Sequence, residues 1–259
     1  MRASASDAVD SAVEILQRVR AQRPRVHCIT NTVAQTYTAN LLLAAGAVPS
    51  MTLSADEVEA FVGGADALLV NVGTLDAERR IAIGLAVDAA AEREVPWVLD
   101  PVFVDRSPAR AKFVHALLAM RPGVVRLNAA EFATLAEIAP ADADAEALAG
   151  FAADLATTVA LTGEEDVVTD GRRTAGVANG HPWMAQITAM GCAGAALVAA
   201  CRAVEPDPFR ATAAALLALG VAGEWGAETS RGPGSLAIAL LDALAGLDRA
   251  GLCERARVF

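Results

Sequence analysis

The run Met190-Gly191-Cys192-Ala193-Gly194-Ala195-Ala196 opens a long apolar stretch directly after an extended segment. Small residues at a helix start leave the first backbone N–H groups free. They also bring the positive end of the helix dipole to one point, which suits an anion. Cys192 falls in the first turn, where a thiol is expected to ionise below its reference value of about 8.5. The same residues equally suit a close-packed helix start that holds no ligand. A second glycine-rich element, Ser230-Arg231-Gly232-Pro233-Gly234-Ser235, either connects two helices or offers a backbone surface to a nucleotide base.

Polar residues recur where apolar strand-like runs end. His27, Thr30 and Asn31 close one run, and Asn71, Gly73 and Thr74 another. Asp100-Pro101 closes a third, Asn128 and Glu131 follow a fourth, and Thr162-Gly163 a fifth. Each has an ordinary structural reading. Asp before Pro is a turn former, and Asn128 with Glu131 is a helix cap with its partner at the third position. A purely structural sheet needs no such row after nearly every strand. In parallel α/β sheets, ligands sit at these carboxyl ends.

The elements that must hold the row alternate along the chain. Helices are predicted over residues 7–20 (Ser6 as a possible cap), 32–45, 56–62, 77–94 and 110–120. Strands are predicted over 26–30, 49–53, 67–72, 96–99 and 124–127. Such alternation implies parallel pairing with helices on both faces. Residues 139–149, rich in Asp and Ala, read as a surface loop or helix. The pattern then changes: short strands over 159–162, 167–169 and 174–177, the last two joined at Asp170-Gly171, precede helices over 192–203, 208–228 and 234–250. With no linker or repeat, residues 1–259 read as a single domain.

Composition removes several alternatives. The net charge is −10, a sign that repels nucleic acid and anionic membranes. Lys112 is the sole lysine, so a P-loop or a protein-kinase strand lysine has no counterpart. Residues 1–10 show no apolar stretch of a secretory signal, and no run of about 18 uncharged apolar residues marks a membrane span. Cys28, Cys192, Cys201 and Cys253 are scattered, as in a reduced, cytoplasmic protein. His27, His115 and His181 match no metal-ligand spacing, and His27 is expected to meet a backbone or subunit contact.

The set His27-Cys28-Ile29-Thr30-Asn31, Asn71-Val72-Gly73-Thr74, Leu99-Asp100-Pro101-Val102, Arg126-Leu127-Asn128-Ala129-Ala130-Glu131, Leu161-Thr162-Gly163-Glu164, Val168-Thr169-Asp170-Gly171, Gly191-Cys192 and Gly232-Pro233-Gly234-Ser235 resembles hydroxyethylthiazole kinase, in that family's order. The resemblance implies a three-layer ribokinase-like α/β fold, with a mostly parallel central sheet between helices. It implies transfer of phosphate from ATP, with Mg²⁺, to 4-methyl-5-(2-hydroxyethyl)thiazole, a thiamine salvage step in a homotrimer. By motif match Arg126, Thr162 and Asn128 would meet ATP, and Asp100 and Glu131 would arrange the magnesium. Asn31, Met51 and Ala189 would meet the thiazole, and Gly191 and Cys192 would be the catalytic pair. Another small-alcohol kinase of the same fold, or a non-catalytic ligand-binding relative, are the alternatives. Three departures bear on the site. Ala189-Met190 precedes Gly-Cys where the family has Gly-Thr or Gly-Ala. Phe103-Val104-Asp105-Arg106 replaces a glycine-containing stretch, and Leu127 replaces a glycine between Arg and Asn. Each exchanges backbone freedom for side-chain bulk.

Overall fold

Successive side chains of a strand point to opposite faces of its sheet, and here both faces are apolar. Val26, Cys28, Leu69, Val98, Val124 and Ala160 enter one core, while Ile29, Leu68, Val70, Leu99, Val125 and Val159 enter the other. The computed structural model describes residues 5–259. Residues 1–4, part of the stretch read for a secretory signal, lie outside the described residues.

The chain runs α1 (Ala5–Gln22), β1 (Arg25–Ile29), α2 (Gln35–Ala45), β2 (Val48–Ser50), α3 (Val58–Gly63), β3 (Ala67–Asn71), α4 (Ala77–Glu92), β4 (Trp97–Asp100), α5 (Pro108–Ala119), β5 (Val124–Leu127) and α6 (Ala129–Leu135). It continues through α7 (Ala145–Leu155), β6 (Thr158–Leu161), β7 (Asp166–Thr169), β8 (Thr174–Val177), α8 (Met190–Val204), α9 (Pro208–Thr229), α10 (Pro233–Gly246) and α11 (Arg249–Arg255). The strands form one sheet in the order β2-β1-β3-β4-β5-β6-β7-β8. Pairing is parallel from β2 to β6, and β7 and β8 add antiparallel. Helices α1, α2 and α8 to α11 cover the first core, and α3 to α7 the second. This is the three-layer arrangement expected above.

Local chemistry sets most boundaries. Asp76, Ser107, Asp144 and Asp207 each accept a backbone N–H of the following helix, which satisfies donors that the helix leaves free. Gly46 stops α2 at φ +97°. Three expectations are corrected. Ser6 lies inside α1 rather than capping it. Helix α2 starts later than residue 32, because the chain first turns at Asn31, whose backbone carbonyl accepts the Ala34 N–H at 3.0 Å. The last helix is two, since Asp248 takes the Gly251 N–H at 2.9 Å and starts α11 afresh. Residues 139–149 divide into a short 3₁₀ turn, Pro140–Asp142, and the start of α7.

Candidate active site

β1, β3, β4 and β5 are neighbours in the sheet. Their carboxyl ends therefore bring Asn31, Asn71, Asp100 and Arg126 into one row. Asn31 Nδ2 donates to Asn71 Oδ1 at 3.2 Å, and Asn71 Nδ2 donates to Asp100 Oδ2 at 2.5 Å. Arg126 Nη1 stands 3.8 Å from Asp100 Oδ1. Helix α8 brings its first turn to the same place, where Asn31 Nδ2 also donates to Cys192 Sγ at 3.3 Å. Gly191 makes room for the row: a Cβ there would stand 2.7 Å from Arg126 Nη1. Ala189, just before the helix, holds φ +72°, a left-handed conformation that costs a non-glycine residue about 1 kcal/mol or more.

The electrostatics follow from burial. Asp100 has no exposed surface, and Oδ1 accepts no hydrogen bond. Desolvation pushes its carboxyl up to about 6; Arg126 opposes the rise, Glu131 adds to it, and the Asn71 hydrogen bond opposes it. Asp166 is raised by burial too, against the pull of the Gly163 N–H and of Arg126. The Cys192 thiol goes the opposite way from the sequence expectation. Burial, with the Asp100 charge behind it, pushes it up to about 11, and the Asn71 and Asn31 amides and the Arg126 charge do not compensate. Cys192 is a thiol at neutral pH.

Glu131 and Asn128 realise the capping box. Asn128 Oδ1 accepts the N–H groups of Ala130 and Glu131 at 2.9 and 3.0 Å, and Glu131 Oε2 accepts the Asn128 N–H at 3.0 Å. The other oxygen, Oε1, takes the Phe103 N–H at 2.9 Å. Glu131 thus ties α6 to the segment after Asp100. That segment displays Phe103 at φ +59° with 60% of its surface exposed. Thr162 donates its hydroxyl to the Leu127 carbonyl at 3.3 Å, one strand beyond Arg126. Met51 follows β2 at the opposite side of the row and packs on the α2/α8 core. The Ser230–Ser235 element joins α9 to α10, with Ser235 Oγ accepting the Arg231 N–H at 2.9 Å.

Sequence reading assigned no role to Asn71 or Asp166. Asn71 stood in the polar row, but its hydrogen bonds depend on register between β1, β3 and β4. Asp166 opens an antiparallel strand, where it accepts the Gly163 N–H at 3.0 Å and comes within reach of the Arg126 charge. His27 is buried, with Nδ1 2.8 Å from Ser50 Oγ, which is a contact within the chain.

The oxygen donors suit a hard cation. A magnesium ion keeps several waters and takes one or two carboxylates plus phosphate oxygens. Asp100, with its free buried oxygen, and Glu131 beside it supply that number. Among the described residues no three His, Cys, Asp or Glu side chains group into a cage of their own.

The profile of the hydroxyethylthiazole kinase family matches residues 16–250. The chain belongs to this family. A probable hydroxyethylthiazole kinase of Agrobacterium fabrum is 43% identical over 95% of this chain and 94% of its own length. The hydroxyethylthiazole kinase of Granulibacter bethesdensis is 42% identical over 98% and 96%. Among solved structures, the hydroxyethylthiazole kinase of Pyrococcus horikoshii superposes with a TM-score of 0.92 at 37% identity, covering 96% of this chain and 98% of that one. A ribokinase-like superfamily protein of Enterococcus faecalis, at 15% identity, covers 91% of this chain and 95% of its own with a TM-score of 0.69. That likeness extends to the fold alone, which is the ribokinase-like fold. In this hydroxyethylthiazole kinase family member, the largely buried polar row and the first turn of α8 meet at the carboxyl end of the sheet.

Proposed function

We propose that this protein is an ATP-dependent kinase that phosphorylates the primary hydroxyl of 4-methyl-5-(2-hydroxyethyl)thiazole, a salvage reaction for thiamine. The observation that carries the reading is the meeting of Asp100, Arg126 and the free N–H end of α8 at one point, within a chain that belongs to the family throughout its sheet.

Phosphoryl transfer is chiefly positioning and charge neutralisation. Arg126 supplies a fixed positive charge for the phosphates, with its guanidinium seated over Gly191. The first N–H groups of α8 face the transferred group and stabilise its oxygens. Asp100, with its free Oδ1, and Glu131 would hold the magnesium, which takes one or two carboxylates. When bound, that ion neutralises phosphate charge. Thr162 and Asn128 border the nucleotide. Asn31, Met51 and Ala189 border the acceptor. The hydroxyl oxygen forms the new O–P bond as the bond to the ADP oxygen breaks, and its proton leaves late, to water or a phosphate oxygen. Cys192, protonated at neutral pH, orients the hydroxyl rather than deprotonating it.

Residues 1–259 act as one catalytic unit, in a cytoplasmic homotrimer. Support for assembly comes from three exposed apolar residues, Val33 just before α2, Leu43 in α2 and Ile238 in α10; those helices are tied by the Tyr37 hydroxyl donating to the Ala237 carbonyl at 3.0 Å. Apolar side chains left open to water at both helices suit a subunit contact. No helix among the described residues is long and apolar enough to cross a membrane. Chromatography of the purified chain with ATP, Mg²⁺ and the thiazole alcohol tests the reaction, and light scattering tests the trimer. Formation of the phosphate ester is expected. No ester at millimolar thiazole alcohol, with another alcohol phosphorylated well, overturns the acceptor assignment.

A further inference from the structure

Asn71 ends β3 with none of its surface exposed, and its amide has only one way round. The Gly73 N–H, which can only donate, reaches Oδ1 at 3.0 Å. That contact fixes Oδ1 on its side and turns Nδ2 toward β4. There Nδ2 meets Asp100 Oδ2 at 2.5 Å. Oδ2 is thereby committed, and Oδ1 is left as the free buried oxygen on the side of Arg126. On the other flank, Asn71 Oδ1 takes Asn31 Nδ2 at 3.2 Å. Asn31 is also held at its own Oδ1, by the Ala34 N–H at 3.0 Å, so its amide is directed at Cys192. Gly73 permits the arrangement, since a Cβ there would stand 2.8 Å from Asn31 Cβ and 3.0 Å from Asn71 Oδ1.

We propose that Asn71 is a positioning residue. It holds the free oxygen of Asp100 on the phosphate side and the amide of Asn31 on the acceptor side in one register, so that donor and acceptor meet in line. The inference rests on the phosphotransfer reading above. Misplacing reacting groups by about 1 Å costs on the order of a hundredfold in rate, and this one amide governs both flanks.

Asn71→Ser and Asn71→Asp test it against Asn179→Ser. Asn179 is a second buried asparagine, bonded to Glu224 Oε2 at 3.0 Å, to the Arg255 carbonyl at 2.7 Å and to the Arg257 N–H at 2.7 Å. It lies beyond β8, outside the row. Titration calorimetry with a non-hydrolysable ATP analogue counts competent sites, and steady-state kinetics give kcat per site. Both Asn71 variants are expected to keep the KM for ATP within about threefold while kcat per site falls about a hundredfold. Asn179→Ser is expected to lower the melting temperature and leave kcat per site unchanged. An Asn71→Ser enzyme within threefold of the parent overturns the proposal, as does an equal loss per site in Asn179→Ser at the same melting temperature. A parent enzyme that prefers another alcohol overturns only the acceptor assignment, and the comparison then uses that alcohol. A crystal structure of Asn71→Ser with the analogue gives a readout independent of turnover. Asp100 and Asn31 side chains are expected to leave their present positions, and finding both in place overturns the proposal.

Discussion

Asp100→Asn is expected to make the protein more stable at neutral pH while abolishing turnover. Asp100 is fully buried, and its carboxyl is pushed from 3.8 to about 6 by burial, with Arg126 opposing, Glu131 adding and Asn71 opposing. A carboxyl with a raised pKa binds its proton more tightly in the folded chain than in the unfolded one. The stability this gives is complete below about pH 4 and is lost as pH rises through about 6. Above that point the buried carboxylate costs about 3 kcal/mol. Asparagine has the same shape and no charge, and its carbonyl oxygen can still accept from Asn71. For a chain of this length the relief corresponds to a melting temperature about 6 °C higher. Thermal melts of parent and variant from pH 4 to pH 8, without nucleotide or magnesium, read this directly. The two curves are expected to converge near pH 4, separate through pH 6 and stay apart above it. A variant that melts below the parent at pH 7.5, or a gap that ignores pH, refutes the picture of a buried carboxylate kept at a cost for function.

Gly191→Ala would place a methyl group 2.7 Å from Arg126 Nη1. The guanidinium must retreat by about 1 Å, which weakens its interaction with a nearby charge by about 1 kcal/mol at an effective dielectric of 20; the KM for ATP is expected to rise about fivefold with the melting temperature unchanged or higher, whereas an unchanged KM with a lower melting temperature would make Gly191 a packing residue only. With its thiol pushed up to about 11, Cys192 is expected to react with iodoacetamide at pH 7.5 far more slowly than exposed Cys253; peptide mass spectrometry finding Cys192 labelled first contradicts this. Ala189→Gly relieves a left-handed backbone at φ +72° at the cost of a more flexible unfolded chain. A net gain of about 0.5 kcal/mol is expected in denaturant melts, and a loss of more than that would show that the alanine methyl packs.

The polar row was readable before any coordinates because strand ends are marked by composition: an apolar run stops at Asn31, Asn71, Asp100 or Thr162. Sequence also showed both readings of Glu131, as a cap and as a site residue. What it missed depends on three-dimensional neighbours. The acidity of Cys192 was expected to follow the helix dipole, but desolvation and the charge of Asp100 dominate, and Asp100 is 92 residues away in the chain. Asn71 looked like any polar strand end until the pairing of β3 with β1 and β4 gave its amide partners on both sides. The single helix expected over residues 234–250 broke at Asp248 because a capping carboxylate looks, within an apolar helical pattern, like an ordinary exposed residue.

The hydrogen bond from Asn31 to Cys192 closes a loop of 161 positions, and that span bears on how the protein becomes active as it is made. Synthesis delivers the chain from its amino-terminal end. The parallel pairing of β3 with β1 and β4 can bring Asn31, Asn71 and Asp100 together from the earlier part of the chain, while α8, which packs on these strands, is still to come. The thiol and the free end of α8 can join only afterwards. In refolding experiments, recovery of turnover is therefore expected to lag behind recovery of sheet structure. A nascent chain halted before α8 would hold the acidic side of the site with nothing across from it.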